Sequence, residues 1–380
     1  MRALELVSEL ISFDTTSRNS NLALIDYVKT LIEGAGGRCR LTRDGSSRKA
    51  NLFATFGPEG DGGYVLSGHT DVVPVDGQAW ATDPFKPEVR DGRLYGRGAC
   101  DMKGFIGVSL SLLPRIAQSK LTRPIHFALS YDEEVGCIGV TNLIADIRAI
   151  GLKPSLAIIG EPTAMRVVGA HKGGAKLLTR CCGKGGHSSA PEKGANAVMM
   201  AGEFLSLLED VWDELRKDTD PHFDPSHSTV QATIISGGTA VNVLAQEATI
   251  AWEYRCLPDR NGTEIVDLVT ARAEAEIAPK YRKRWGGAQF ETQVRAAYPG
   301  LVMDRESPAV LLARELTGAN HIETVVYGTE AGHFQSAGIP SVICGPGSIE
   351  QAHQADEFCD LSQLEACEAF LNKLILKACS

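Results

Sequence analysis

The residue types best suited to chemistry sit where apolar, strand-like stretches run out. His69 and Asp71 follow the run YVLSG at 64–68. IHFALSY at 125–131 ends in Asp132, Glu133 and Glu134, and LAIIG at 156–160 ends in Glu161. PSVICG at 340–345 leads through a Gly- and Pro-containing loop to His353. Asp101 lies in the Gly-rich stretch GRLYGRGACDMKGF, just ahead of a helical pattern. In open α/β sheets ligands bind beyond the carboxyl ends of the strands. Acids and imidazoles collected there would repel or desolvate one another unless something cationic joined them.

A metal is the economical solution. Imidazole and carboxylate ligands suit zinc, cobalt or manganese more than a soft-metal site. The inventory is too large for one tetrahedral ion and fits two ions sharing a bridging carboxylate. Asp71 has a place in this reading. A ligating histidine usually donates its other N–H to a carboxylate, and an aspartate two residues on could accept it from His69. Each residue alone has a plainer reading. A lone strand-end histidine is usually a satisfied polar group, DEE a solvated turn, and Glu161 before Pro162 a turn cap. Recurrence at several strand ends favours the metal.

The elements that must position these groups follow from the hydrophobic pattern. Strand candidates separated by helical stretches, FIGVSLSLLPRIA among them, predict an α/β domain with a mixed, mostly parallel sheet and helices on both faces. The texture then changes. AKLLTRCCGKGG, STVQATIISGG, ATIAWEYRCLP and QFETQVRAAYPG are strand candidates, with helical stretches after the first and third. That is the split βαβ order of a ferredoxin-like α+β domain. The α/β texture returns with SPAVLLARELTG and PSVICG. The expected division is 1–172 with 293–380 for the metal-binding domain, and 173–292 for an inserted lid.

A chain of 380 residues is too long for one ordinary core. Its 38 Lys and Arg against 47 Asp and Glu give a net charge of -9, which argues against nucleic acid as the main partner. No apolar run approaches the roughly 20 residues that span a bilayer. MRALELVSELISF carries Glu5 and Glu9 between its apolar residues, so it reads as an amphipathic helix and not a signal peptide. Ten cysteines without CxxC spacing predict a reducing cytoplasm. GKGGHSS at 183–189 lacks the spacing of a phosphate-binding loop, and GAGGRCR lacks that of a dinucleotide fingerprint.

GHTDVVP, GRGACDMKG, DEEVG, GEPT and GHSSAP, in that order, resemble the M20 family of di-zinc metallopeptidases and deacylases. The likeness runs through nearly the whole chain. IIGEPT followed by AHKGG, and the tail GPGSIEQAHQADEF, resemble its acetylornithine deacetylase branch. The resemblance implies two divalent metals, most often Zn²⁺, with Co²⁺ possible. It makes His69 and Glu161 ligands of the first ion, Glu134 and His353 ligands of the second, and Asp101 the bridge. It makes Glu133 the general base, Asp71 the partner of His69, and His187 a lid histidine that steadies the oxyanion. It makes Arg255 and Asn242 substrate-binding positions. A guanidinium such as that of Arg255 is well suited to grip a carboxylate.

The expectation is therefore a cytoplasmic amide hydrolase that converts N2-acetyl-L-ornithine to L-ornithine and acetate, in arginine biosynthesis, and dimerises through its inserted domain. The rivals within the family are a succinyl-diaminopimelate desuccinylase, an aminoacylase, or a carboxypeptidase or dipeptidase. Outside it stands a non-catalytic binding protein on the same fold.

Overall fold

Strand Tyr64–His69 is buried along its whole length, which is why its residues are apolar on both faces instead of alternating. In the computed structural model, which describes residues 2–380, this strand lies near the middle of an eight-stranded sheet. It runs parallel to Ile125–Ser130 on one side, with His69 opposite Ser130, and to Leu156–Pro162 on the other. Leu156–Pro162 in turn pairs in parallel with Ser341–Gly345. The sheet is extended antiparallel by Ala50–Phe56 and Arg38–Arg43. Four parallel strands thus end at one edge, and their following residues converge there.

Helices cover the sheet. Arg2–Ser12 buries Ala3, Leu6, Val7, Leu10 and Ile11, an apolar stripe at helical spacing. It packs against Lys103–Ser111, where a Cβ on Gly107 would meet Val7 at 2.5 Å. The helical stretch that began as one pattern at Phe105 is broken at Leu112 into Lys103–Ser111 and Leu113–Gln118. Pro114 is the cause, since it has no N–H to give and its ring fits only the first turn of a new helix.

The chain divides into two units, Met1–Ala170 with Leu301–Thr324 and Thr329–Ser380, and His171–Gly300 with Val325–Gly328. The second contains an antiparallel sheet in the order Thr229–Gly237, Glu247–Cys256, Gly173–Cys182, Gln289–Tyr298. Helices Ala197–Leu215 and Thr263–Arg272 complete the ferredoxin-like order. The expected boundary at 292/293 falls inside Gln289–Tyr298, and the ladder that joins this strand to Gly173–Cys182 moves the boundary to Gly300. In Glu247–Cys256, Ala248, Ile250, Trp252, Tyr254 and Cys256 are buried, while Thr249, Ala251, Glu253 and Arg255 are only partly so. Among the described residues no helix is long and apolar enough to cross a membrane, and the ten cysteines are unpaired.

Candidate active site

His69 ends its strand with its ring buried at 1% exposure. Its Nε2 lies 3.0 Å from Asp101 Oδ1 and 3.7 Å from Glu161 Oε1. The other carboxylate oxygen of Asp101 lies 3.2 Å from His353 Nε2, which is 3.1 Å from Glu134 Oε2. Two groups of potential ligand atoms result, His69–Asp101–Glu161 and Asp101–Glu134–His353. Within each, all atoms fall within 4.8 Å of one another. Asp101 belongs to both, so residues 27 to 284 positions apart in sequence form one double cluster.

The electrostatics show what such a cluster lacks. Burial, then the nearby Asp101, pushes the Glu161 carboxyl well above the ordinary range. Burial pushes Glu133 up to about 8, with Glu134 and Glu330 adding to it and His69 opposing. Glu134 is raised chiefly by burial. Burial also acts on Asp101, but hydrogen bonds from His353 and His69 outweigh it and hold the carboxyl low. His353 is raised to about 10 by its bonds to Asp101 and Glu134. Buried carboxylates in excess of their imidazole partners fit a divalent cation at each triad, and the N and O donors suit a borderline metal.

The structure corrects the role expected of Asp71. His69 Nδ1 faces the backbone carbonyl of Asp71 at 2.9 Å, while the nearer carboxylate oxygen is 3.7 Å away. The carboxylate instead accepts the backbone N–H groups of Glu133 at 3.0 Å and Glu134 at 3.3 Å, and the Ser17 hydroxyl at 2.7 Å. Spacing in an extended chain sets reach. It does not set which acceptor of the aspartate the imidazole meets. Glu133 is outside both triads, and its Oε1 accepts from Cys137 Sγ at 3.2 Å. Asp132, with a left-handed φ of 56°, turns back to pair with Lys49.

Sequence reasoning missed Glu330. It precedes the helix Ala331–Ser336, is 1% exposed, and accepts hydrogen bonds from the hydroxyls of Ser67 and Ser130. Ser67 is two residues before His69 and Ser130 is its neighbour in register, so this carboxyl lies beneath the site. Burial pushes it up to about 7. The available signal was an acid set between Gly328-Thr329 and Ala331-Gly332, where no solvated loop was needed.

In the second unit, His187 and Asn242 are brought together. Gly186–His187 pairs with Val243–Leu244, and Ser188 N–H donates to the Asn242 carbonyl at 3.0 Å. Both line a groove of about 740 Å³. His187 Nδ1 accepts from the Ser189 hydroxyl at 2.7 Å and its backbone N–H at 3.2 Å, which leaves the hydrogen on Nε2. Arg255 is not in that groove. It lines a different one with Lys172, Trp212 and Gln231. Its guanidinium is engaged by both oxygens of Glu253, at 3.2 and 3.3 Å, and by the Tyr298 hydroxyl. The sequence held a signal for that pairing, because Glu253 and Arg255 are two apart in a strand and share a face.

Residues 65–377 match the family described as peptidase family M20/M25/M40. The chain belongs to that family. It is a metal-dependent amide hydrolase of the M20 type. An acetylornithine deacetylase of Pasteurella multocida (strain Pm70) is 36% identical over 385 residues, covering 99% of this chain and 98% of that one. One from Myxococcus xanthus is 36% identical over 381 residues, covering 98% and 96%. Among solved structures, aminopeptidase PepT from Bacillus cereus ATCC 10987 superposes with a TM-score of 0.75 at 19% identity, over 100% and 98% of the two chains. An M20 family metallo-carboxypeptidase, Sso-CP2 from Sulfolobus solfataricus, gives 0.74 at 17%, over 99% and 98%. At those identities the structural likeness speaks for the M20 fold alone.

Proposed function

We propose that this M20 hydrolase deacetylates N2-acetyl-L-ornithine to L-ornithine and acetate, with two divalent ions, Zn²⁺ or Co²⁺, held by the two triads that share Asp101. The observation that carries the reading is the double cluster itself, with Glu133 beside it but in neither triad. The substrate rests on similarity to acetylornithine deacetylases at 36% identity over almost the whole chain.

Bound there, the two ions supply Lewis acidity at the amide carbonyl and lower the pKa of water toward about 7. Glu133 takes the proton of the attacking water and returns it to the leaving amine, as general base and then general acid. Asp71 fixes the Glu133–Glu134 backbone through its carboxylate, so the base and a ligand are set by one anchor. His187 donates from Nε2 to the developing oxyanion. Asn242, which lines the same groove as His187, is a further proposed substrate contact. Arg255 would need to exchange Glu253 for a substrate carboxylate, which makes it the substrate contact least prepared by its surroundings.

Dimerisation through the second unit belongs to the same reading. Its edge strand Thr229–Gly237 exposes Ile234 and Ile235, and Val241 is fully exposed nearby. A strand whose outer edge is unpaired and which carries exposed apolar side chains is a surface that pairs across a two-fold axis. Sedimentation at micromolar concentration should give a dimer, and a monomer would count against it. The proposal also places the enzyme in the cytoplasm and in arginine biosynthesis.

The test is a panel of N-acyl amino acids given to the metal-loaded protein, with N-succinyl-diaminopimelate and dipeptides beside acetylornithine. Acetylornithine should have the highest kcat/KM. A preference for another member would transfer the assignment to that acyl substrate.

A further inference from the structure

The two triads are not supported alike. His69 and Glu161 end buried strands, and their side chains are 1% and 6% exposed. His353 sits in a loop, its side chain is 52% exposed, and its φ is +65°, in the left-handed region that disfavours a non-glycine residue. Something must hold that loop in place.

The candidate is a cluster made of the buried pair Arg97 and Glu357 with the partly buried Gln78, none of which belongs to either triad. Arg97 and Glu357 are each 1% exposed and pair at 2.7 Å. Glu357 also accepts the backbone N–H groups of Gly98 at 3.1 Å, Cys100 at 3.0 Å and Asp101 at 3.1 Å. Its own carbonyl accepts from Gly96 N–H at 2.9 Å. The carboxylate thereby wraps the loop that presents Asp101. Arg97 reaches the other way. Its Nη1 donates to the Gln354 carbonyl at 3.3 Å, and its Nη2 donates to Gln78 Oε1 at 2.5 Å. Gln78 Nε2 donates to the carbonyl of His353 itself at 2.8 Å. Trp80 Nε1 donates to Gln78 Oε1 at 3.0 Å, and the Trp80 ring lies 5.0 Å from the Arg97 guanidinium.

We infer that Gln78, Arg97 and Glu357 form a positioning clamp that holds Asp101 and His353 in ligating register and so sets the affinity of the His353 triad for its ion. The inference rests on the proposed metal reading of the two triads. Glu357 grips the shared ligand. Of the five ligands Gln78 touches His353 alone, and it reaches the Asp101 loop only through Arg97, so removing it should weaken the His353 triad and spare the other. Groups that orient metal ligands typically contribute about 10- to 100-fold in metal affinity.

The test uses the full-length protein, stripped by chelator and titrated with Co²⁺, and separately with Zn²⁺ followed by dialysis and metal analysis. Wild type should take up two ions per chain. Gln78→Ala, at a partly exposed loop position, should bind one ion with unchanged affinity and the other about 10- to 100-fold more weakly, leaving one ion after dialysis. Its Co²⁺ absorption should keep only the first part of the wild-type titration. Arg97→Lys, which keeps the charge but loses the fork, should act in the same direction. Two ions retained by Gln78→Ala with both affinities unchanged would overturn the clamp. Equal weakening of both ions would overturn its selectivity for the His353 side. Fewer than two ions in wild type would remove the metal reading beneath it. A thermal melt of Gln78→Ala that matches wild type in the stripped state separates positioning from a loss of folding.

Discussion

The Asp71 carboxylate accepts the backbone N–H of Glu133 at 3.0 Å across 62 residues of sequence. Its second oxygen reaches Glu134 N–H at 3.3 Å, and its backbone carbonyl receives His69 Nδ1 at 2.9 Å. One aspartate thus ties a candidate base and two candidate ligands into a single rigid corner. Asp71→Ala should lower kcat by about 10- to 100-fold, the scale seen when groups that orient ligands are removed. Both variants keep the backbone carbonyl, but Asp71→Asn also keeps one side-chain acceptor oxygen, so it should lose less than Asp71→Ala. Steady-state kinetics on the two variants decide this. Equal loss in both would mean that the charge of Asp71 matters and its geometry does not.

Glu133→Gln should keep both metal ligand sets and lose the proton shuttle. General acid–base catalysis typically contributes about 10²- to 10⁴-fold. The expected result is a fall of that size in kcat with unchanged metal content. Loss of bound metal in the variant would reassign Glu133 from base to ligand.

Glu330→Leu should destabilise the fold. It strands the hydroxyls of Ser67 and Ser130 in a buried place, and an unsatisfied buried polar group costs about 1–3 kcal/mol. Glu330→Gln keeps an acceptor and should cost less. Urea unfolding of the metal-free variants measures both.

His126 predicts an acid limit to stability. Burial holds its imidazole down to about 4, with Thr55 Oγ1 2.9 Å from Nδ1 and the Gly62 carbonyl 3.3 Å from Nε2. That pairing suits a neutral ring. In the unfolded chain the group titrates near the ordinary value of about 6.5. The contribution is therefore complete above about pH 6.5 and is lost as pH falls toward 4, where the unfolded state binds a proton that the folded state refuses. The full difference is about 3 kcal/mol. His126→Gln should flatten the stability profile between pH 6.5 and 4. A variant profile parallel to wild type over that window would show that the folded ring takes up its proton freely.

Much of the candidate site could be read from sequence because its ligands lie at the ends of recognisable elements. Tyr64–His69, Ile125–Ser130 and Leu156–Pro162 are buried throughout and mostly apolar, and the turn to acidic or imidazole residues marks where each reaches the edge of the sheet. The rest depends on contacts that no local pattern encodes. Glu357 is 260 residues from Arg97, and an acid in a tail looks like any solvated acid until the loop around Asp101 closes over it. Two residues of separation bring Asp71 near His69, but the atom that faces the imidazole depends on how the chain turns after the strand. Helix ends were similarly local. Pro114 marked a break that the apolar period of FIGVSLSLLPRIA concealed.

The central claim is that the double cluster around Asp101 makes this chain a metal-dependent deacetylase of N2-acetyl-L-ornithine. The most direct measurement is release of the free α-amine from that substrate by chelator-stripped protein, as a function of added Zn²⁺ or Co²⁺ per chain. The account predicts no turnover without metal and activity that rises up to two equivalents, with a Glu133→Gln control about 10²- to 10⁴-fold slower at full loading. Turnover by the stripped protein, or none at any metal loading, would contradict it.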